Sequence, residues 1–224
     1  MEVCVHSSII EKIPDFKVGV IHYKHISVGA SPQMLKGRLR LFQESIFFDL
    51  ETKSPSTIEG VIEWRKVFKE LGTDPSKYRP SAEALFRRIQ KQTYLPSINS
   101  AVDLNNFFSL QYEVPIGIYD CKFLGDDIEI TLGKEDDYYK ALNERSISLK
   151  NKIVSSDQEG PFGSPYVDSQ RAPVTEQTTE ALQIIYLRPS LSMEQAEKLT
   201  NSLKNMFLQL HGGEAIFTVK GYSG

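Results

Sequence analysis

The chain has 224 residues, of which 40% are hydrophobic, and a formal net charge of -3, so it can bury a core without disulfides or metals but has too few excess cations to coat nucleic acid. Its two cysteines, Cys4 and Cys121, match no metal-ligand spacing and are too few for a disulfide framework, which favours a reducing, cytoplasmic location. No apolar run approaches the roughly 20 residues that cross a bilayer, and no signal-peptide pattern precedes one, so we expect neither membrane insertion nor secretion.

The first third of the chain predicts one strand and two helices. Residues 16–25 alternate and are rich in β-branched and aromatic side chains, which is typical of a strand. Ser31 and Pro32 predict the N-cap and first position of a helix. Ser56, with Glu59 three residues later, predicts a capping box at the start of the next helix.

A third predicted helix carries a local excess of positive charge. Pro80 and Ser81 introduce it, and its polar face carries Arg87, Arg88 and Lys91. We predict that these three cations bind RNA. An ordinary solvated helix face has the same pattern, so the sequence leaves both interpretations open.

The next predicted helix contains two unusual amides. Ser100 and Asp103 form a capping-box-like pair, and Asn105 and Asn106 follow in the helix body. Asparagine competes for backbone hydrogen bonds and lowers helix propensity. The two amides therefore indicate a role other than helix formation.

The rest of the chain predicts mostly strands and turns. Strands are predicted at residues 116–123, 127–132 and 181–187, with a last one that carries Phe217; residues 155–173 predict a loop, and Ser192 caps a long amphipathic helix. Helices and strands do not alternate regularly, which disfavours a doubly wound parallel sheet. We therefore predict a layered α+β fold in a single domain over residues 1–224.

Common signatures of catalysis are absent from the sequence. The four histidines stand outside any metal or catalytic-triad spacing, and the sequence contains no Walker loop, dinucleotide fingerprint or nucleophile elbow. We accordingly predict no metal and no organic cofactor.

Several motifs occur in order through the middle of the chain. They are Arg79-Pro80-Ser81 with Glu83 and Arg87-Arg88, Asn99 with Val102-Asp103 and Asn106, Pro115 with Gly117 and Tyr119-Asp120, and a weaker set at Asp168, Arg171, Thr175 and Thr178. This succession resembles the tRNA-binding and editing domain of the phenylalanyl-tRNA synthetase beta subunit in its free-standing form, most specifically over residues 78–180. The resemblance implies an α+β fold with a β-sandwich-like portion.

The resemblance also implies an activity and a site. The activity is hydrolysis of a mischarged aminoacyl-tRNA in trans, by a bound water at the acceptor end of the tRNA. The implied catalytic residues are Asn99, Asn106 and Thr175, and the implied substrate-binding residues are Arg79, Asp103, Tyr119, Asp168, Arg171 and Thr178. The hypothesis requires a pocket that brings Arg79, Asn106 and Arg171 together.

The resemblance has one departure. Where the bacterial synthetase domain has a histidine ahead of its Phe-Asp or Tyr-Asp pair, this chain has Gly117, so the role of that histidine is not transferred. Two alternatives stay open: a non-catalytic module that binds tRNA, an amino acid or a nucleotide, and a domain whose basic helix docks an acidic protein. We expect neither DNA nor a membrane as partner, and the oligomeric state is not predicted.

Overall fold

The computed structural model describes residues 1–142 and 144–221. The strands within these residues are β1 (Glu2–Val5), β2 (Lys17–Lys24), β3 (Ile116–Asp120), β4 (Asp127–Leu132), β5 (Tyr138–Lys140), β6 (Ser146–Ser148), β7 (Ile153–Asp157), β8 (Gly160–Gly163), β9 (Glu180–Tyr186) and β10 (Glu214–Gly221). The helices are α1 (Ser7–Ile10), α2 (Gln33–Asp49), α3 (Glu59–Glu70), α4 (Ser81–Gln90), α5 (Ser100–Tyr112) and α6 (Met193–His211).

Most strands form two four-stranded sheets. The first sheet has the antiparallel order β10-β2-β9-β3, and the second has the order β1-β4-β7-β8, in which β1 is parallel to β4. The short hairpin β5-β6 forms a third, two-stranded sheet. In the first sheet Ile21 pairs with Gln183, which fixes the register of the two central strands.

The central strand β9 is buried on both faces of the first sheet, and its alternate side chains point to opposite faces. On β9, Leu182 and Ile184 share a core cluster with Ile128 and Ile130 of the second sheet, so the two sheets form a sandwich. The opposite face, which includes Ile185, packs against α5 and α6. A third cluster joins α2, α3, α4 and α5. The predicted α+β fold with a sandwich-like portion is therefore confirmed; the single-domain assignment stays a prediction.

Several predicted elements match the structure closely. Residues 16–25 contain β2, residues 181–187 contain most of β9, and Ser192 caps α6 with a complete capping box in which Gln195 is the partner. α4 begins at Ser81, directly after Pro80, as predicted. No helix among the described residues is long and apolar enough to cross a membrane.

Two predicted helix starts in the first third of the chain are wrong, and so is the predicted Ser100–Asp103 capping pair, because Asn99 is the N-cap of α5. The Ser31 hydroxyl donates to Asp103 (2.6 Å) instead of capping α2, which begins at Gln33. Ser56 lies in a 3-10 turn and hydrogen bonds with Ser54 (2.8 Å), while α3 begins only at Glu59. At Ser31 and Ser56 the hydroxyl forms a different hydrogen bond, because a serine side chain can also bond to groups outside the helix start.

The predicted loop at residues 155–173 is partly wrong. Its first part forms the end of β7 and all of β8, joined by a tight turn in which Gly160 has φ +114°. Glycine adopts this conformation without steric cost. The strand β8 has the sequence Gly-Pro-Phe-Gly, which lacks strand propensity, so its pairing with β7 comes from the tertiary context.

Candidate nucleic-acid interface

The polar face of α4 borders a cleft of about 460 Å³. Five cations and no acidic side chain are among its lining residues: Lys77, Arg79, Arg87, Arg88 and Lys91. The cleft also includes Tyr166 and Val167, which follow β8. The three residues predicted to bind RNA and the predicted substrate-binding residue Arg79 are thus brought to one cleft.

A buried carboxylate organises the arginines around α4. Glu83 is fully buried and accepts hydrogen bonds from Arg65 (3.0 and 3.1 Å) and Arg87 (2.8 Å), while Arg79 approaches it to 4.0 Å. Burial of a carboxylate is tolerated when it is paired and hydrogen-bonded in this way. One negative charge therefore anchors three guanidinium groups and leaves the cluster with net positive charge.

Three other cations of the cleft have no acidic partner. Lys77, Arg88 and Lys91 are exposed and form no ion pair with any residue in the described ranges. A second cleft of about 640 Å³ is lined by Arg65, Lys66 and Lys69 of α3 and by the segment after α3, which includes Asp74. The surface over α3 and α4 is therefore positive although the chain as a whole is slightly acidic, and fixed positive charge of this kind attracts phosphate.

Two tyrosines lie beside this positive surface. Tyr78 and Tyr166 meet edge to face with ring centroids 5.4 Å apart, and the ammonium group of Lys152 lies 3.9 Å from the Tyr78 centroid. Burial, together with the nearby charge of Lys77, lowers the pKa of Lys152. Cations interleaved with aromatic rings suit contact with phosphates and bases.

The predicted catalytic and substrate-binding residues other than Arg79 do not line either of these two clefts. Asn99 is the N-cap of α5: its side chain accepts from the Val102 amide (2.9 Å) and donates to the Val174 carbonyl (3.1 Å). Asp103 is buried and accepts from Ser31 (2.6 Å), Ser97 (2.5 Å) and the Ile98 amide (2.9 Å). Both side chains therefore hold the start of α5.

The two amides of α5 have different surroundings. Asn105 is buried, donates to the Ile116 carbonyl (3.0 Å) and accepts from Gln183 (2.9 Å), which in turn accepts from Tyr23 (2.9 Å). The Asn106 side chain is half-buried and forms no hydrogen bond with the rest of the described chain. The sequence predicted a role beyond helix formation for these amides. Asn105 has such a role, because it connects α5 to the first sheet.

The threonines and Asp120 form a turn network. Thr178 is buried and donates to Asp120 (2.7 Å), whose other oxygen accepts from the Lys122 amide (2.9 Å). Thr175 is exposed, and its amide donates to the Thr178 hydroxyl (3.0 Å). The network brings Thr175 and Thr178 together, as the predicted site requires, but closes a turn before β9.

Tyr119 and Asp168 form a buried pair between the two sheets. The Tyr119 hydroxyl donates to Asp168 (2.7 Å), and the Ser164 amide lies 3.4 Å from the same carboxylate oxygen. Burial raises the pKa of Asp168 to about 6, although the two hydrogen bonds oppose the shift. Burial and the Asp168 charge also raise the pKa of Tyr119 well above its ordinary value.

Arg171 has a structural role, because it clamps β7, β8 and the turn after β3 together. Its guanidinium donates to both carboxylate oxygens of Asp157 (2.7 and 2.5 Å) and to the carbonyls of Gly160 (2.9 Å) and Phe123 (3.2 Å). No hydrogen bond or ion pair in the described ranges joins Arg171 to Arg79 or Asn106. The pocket that was to unite these three residues stays a prediction.

Comparison with known proteins assigns this chain to a family. The family described as "B3/4 domain" matches residues 63–206, more than half of the chain. The chain belongs to the B3/4 domain family. The predicted resemblance to the domain of this type in the phenylalanyl-tRNA synthetase beta subunit is thereby confirmed.

A relative of this B3/4 domain protein occurs in Bacillus subtilis (strain 168). It carries the name "Uncharacterized protein YhzB" and is 37% identical over 213 residues, which cover 95% of this chain and 96% of the relative. A solved structure, an N-terminal fragment of the phenylalanyl-tRNA synthetase beta subunit from Pyrococcus horikoshii, aligns with a TM-score of 0.47 at 13% identity. That alignment covers 97% of this chain but 50% of the fragment, so the chain spans half the fragment's length.

Packing explains why this chain has Gly117 where the synthetase motif has a histidine. A Cβ atom at Gly117 would lie 2.0 Å from the Tyr119 hydroxyl, and one at Gly163 would lie 2.1 Å from the same oxygen. Tyr119 therefore fills the space between these two glycines. In this B3/4 domain protein, a histidine at position 117 would need Tyr119 to move.

The sequence analysis assigned no site role to several residues that shape these sites. Glu83, Tyr78, Tyr166 and Lys152 shape the basic surface, and Gln183 completes the Asn105 network. Glu83 carried a signal, because it stands one helical turn from both Arg79 and Arg87, the spacing of paired charges on a helix. Tyr166, Lys152 and Gln183 come from distant segments and carry no local signal.

Proposed function

We propose that this protein binds tRNA through the cleft of α4 and hydrolyses a mischarged aminoacyl ester at the acceptor end of that tRNA. The proposal of binding rests on one observation: a cleft with five cationic side chains, of which Lys77, Arg88 and Lys91 have no acidic partner in the described part of the chain. Arginine matches phosphate oxygens with two parallel donors, which favours a polyanion as the ligand.

Three further features support tRNA as the polyanion. Five cations converge on one cleft of a slightly acidic protein, which suits a limited footprint rather than extensive coating. The rings of Tyr78 and Tyr166 offer stacking or edge contacts to unpaired nucleotides, such as those at an acceptor end. The ordered motifs and the family membership point to the same ligand, and the two distant cysteines suit a cytoplasmic location.

The salt dependence of binding tests this proposal. Substituting both Arg88 and Lys91 with alanine removes two phosphate contacts, so the slope of log K against log salt should become shallower by about 1.4 to 1.8. The matched control replaces Lys36 and Arg38, two exposed cations on α2, and should leave the slope unchanged. The measurement is a titration of the complete chain with deacylated tRNA at several salt concentrations.

Three outcomes would refute binding at this cleft. Tight binding that is insensitive to salt, equal slopes for the wild type and the cleft variant, or an equal loss in the control would each do so. If the cleft variant loses an acidic protein partner while its tRNA binding is unchanged, the alternative of a protein-docking helix replaces the proposal.

The hydrolytic step is favoured by a separate observation. Asp168 has a pKa of about 6 in a buried pair with Tyr119, and strongly perturbed carboxyl groups concentrate at functional sites. Asn106 has a half-buried amide without a hydrogen-bond partner in the described ranges, and it supplies a group that can orient water. The water oxygen would attack the ester carbonyl carbon, and the bond to the ribose oxygen would break, releasing the amino acid and a free ribose hydroxyl.

Release of amino acids from a panel of mischarged tRNAs tests this step. The Asn106→Ala variant should lower the rate by about 100-fold, the order of magnitude lost with one positioned donor. Asn201→Ala on α6 is the matched control, because this amide also lies in a helix and is half-buried. If no tRNA of the panel is deacylated by folded protein that still binds tRNA, the non-catalytic binding module is the correct alternative.

A further inference from the structure

Three side chains with metal-binding chemistry meet at one end of the first sheet. His22 lies on β2, Glu180 begins β9, and Cys121 follows β3 directly. Their ligand atoms all lie within 4.8 Å of one another, and His22 Nε2 is 2.6 Å from Glu180 Oε1. The three residues are far apart in the sequence, which explains why the spacing of cysteines and histidines gave no sign of them.

The strand register explains why they meet. His22 pairs with Leu182, which lies two residues from Glu180, so His22 and Glu180 point to the same face of the sheet. Asp120 pairs with Ala181 on the other side of β9, so the next residue, Cys121, arrives beside Glu180. The central strand β9 thus presents Glu180 between a histidine and a cysteine from its two neighbours.

We propose that His22, Cys121 and Glu180 bind a divalent transition-metal ion of the zinc class. Imidazole nitrogen, thiolate sulfur and carboxylate oxygen are the protein donors that zinc uses, and these three residues supply one of each. This site is independent of the cleft on α4 and of the tRNA proposal.

The geometry needs only a small adjustment to admit an ion. Tetrahedral coordination at ordinary zinc distances separates a nitrogen ligand from an oxygen ligand by about 3.3 Å. The His22–Glu180 separation of 2.6 Å must therefore open slightly, a change within the freedom of the half-exposed Glu180 side chain. All three residues are half-buried, so the ion would be reachable from solvent yet partly shielded.

The ion would replace a proton. Burial, together with the charges of Glu180 and Asp120, raises the pKa of Cys121 to about 12, so the metal-free thiol keeps its proton at neutral pH. Binding converts the thiol to a thiolate and releases that proton to solvent, and His22 binds in its neutral form.

Three protein ligands leave one tetrahedral position for another group. His22 also lines a cleft of about 340 Å³ with Met1, Lys24 and Glu214. Water or a small ligand can reach the ion from this cleft. Three protein ligands with an open position is the arrangement of exchangeable and catalytic zinc sites, whereas structural sites use four protein ligands.

Titration with the metal ions themselves tests the proposal. Equilibrium dialysis of the complete chain against Zn²⁺ should give one ion per chain, and Co²⁺ should produce a thiolate-to-cobalt charge-transfer band in the near ultraviolet. Cys121→Ser should abolish the band and weaken Zn²⁺ binding by more than the about 10–100-fold that loss of an outer-sphere partner costs. Cys4→Ser is the matched control and should change neither, because Cys4 lies exposed on β1.

A second pair of variants keeps the test decisive if Cys121→Ser fails to fold. His22→Gln should weaken Zn²⁺ binding to the same extent, whereas His25→Gln, at an exposed position after β2, should not. Absence of stoichiometric binding, a Co²⁺ complex without the charge-transfer band, or equal affinities for His22→Gln and His25→Gln would each overturn the site. Because the tRNA titration uses a different surface, failure of one proposal leaves the other unaffected.

Discussion

Replacing Asp168 with asparagine should make the protein more stable at neutral pH. Burial raises the pKa of this carboxyl from 3.8 to about 6. The difference corresponds to about 3 kcal/mol of preference for the neutral form in the folded chain. Asparagine is neutral at every pH, and its carbonyl oxygen can still accept the hydrogen bond from Tyr119.

The direction of the pH dependence follows from proton binding. The folded chain binds the Asp168 proton more tightly than the unfolded chain does, so protonation stabilises the fold. This contribution is fully present below the unfolded pKa of about 4, and it is lost as the pH rises through the folded pKa of about 6. The free energy of unfolding of Asp168→Asn, relative to that of the wild type, should therefore increase by up to about 3 kcal/mol between about pH 3.5 and pH 7.5.

Urea unfolding of both proteins across this pH range measures the difference. Other carboxyl groups contribute equally to both proteins, so their effects cancel in the comparison. Asp136→Asn, at an exposed position after β4, is the control for the amide substitution itself. A difference between wild type and Asp168→Asn that does not change with pH would refute the assignment of a raised pKa to Asp168.

Two further predictions concern packing and charge, and both are measured by urea unfolding at constant pH. Arg171→Ala should destabilise the fold by about 3 kcal/mol, because it leaves the buried Asp157 without its paired donor. Arg171→Lys should recover only part of this stability, since an ammonium group cannot form both hydrogen bonds. If neither variant loses stability, the clamp is contradicted. Gly117→Ala should destabilise by about 1–3 kcal/mol through overlap with Tyr119, whereas Gly29→Ala, where a Cβ would meet nothing within 4 Å, should be close to neutral.

Local sequence patterns predicted the parts of the fold that local physics determines. α4 follows a proline, α6 has a serine cap, both have apolar stripes at helical spacing, and both begin at the predicted residue or directly after it. The failures occurred where a distant segment overrode the local pattern. Ser31 bonds to a carboxylate on another helix, and β8 becomes a strand because β7 lies beside it.

The candidate sites followed the same rule. The cations of α4 share one helix face, so their convergence on one cleft was predictable from spacing. The networks of Asn105 with Gln183 and of Tyr119 with Asp168 join segments that are distant in the sequence. No single-sequence pattern encodes such pairings, because they depend on the register of the sheets.

The difference between Arg171 and Arg88 shows how the structure separates support from binding. Both arginines belong to the motifs that suggested a tRNA site, and the sequence predicted a binding role for each. Arg171 is saturated by Asp157 and two carbonyls, so engaging a phosphate would require breaking a bidentate ion pair. Arg88 has no acidic partner among the described residues and is exposed, so a phosphate would bring it new contacts without displacing old ones. The same physical distinction makes the α4 surface, rather than the surroundings of Arg171, the place where a polyanion should bind.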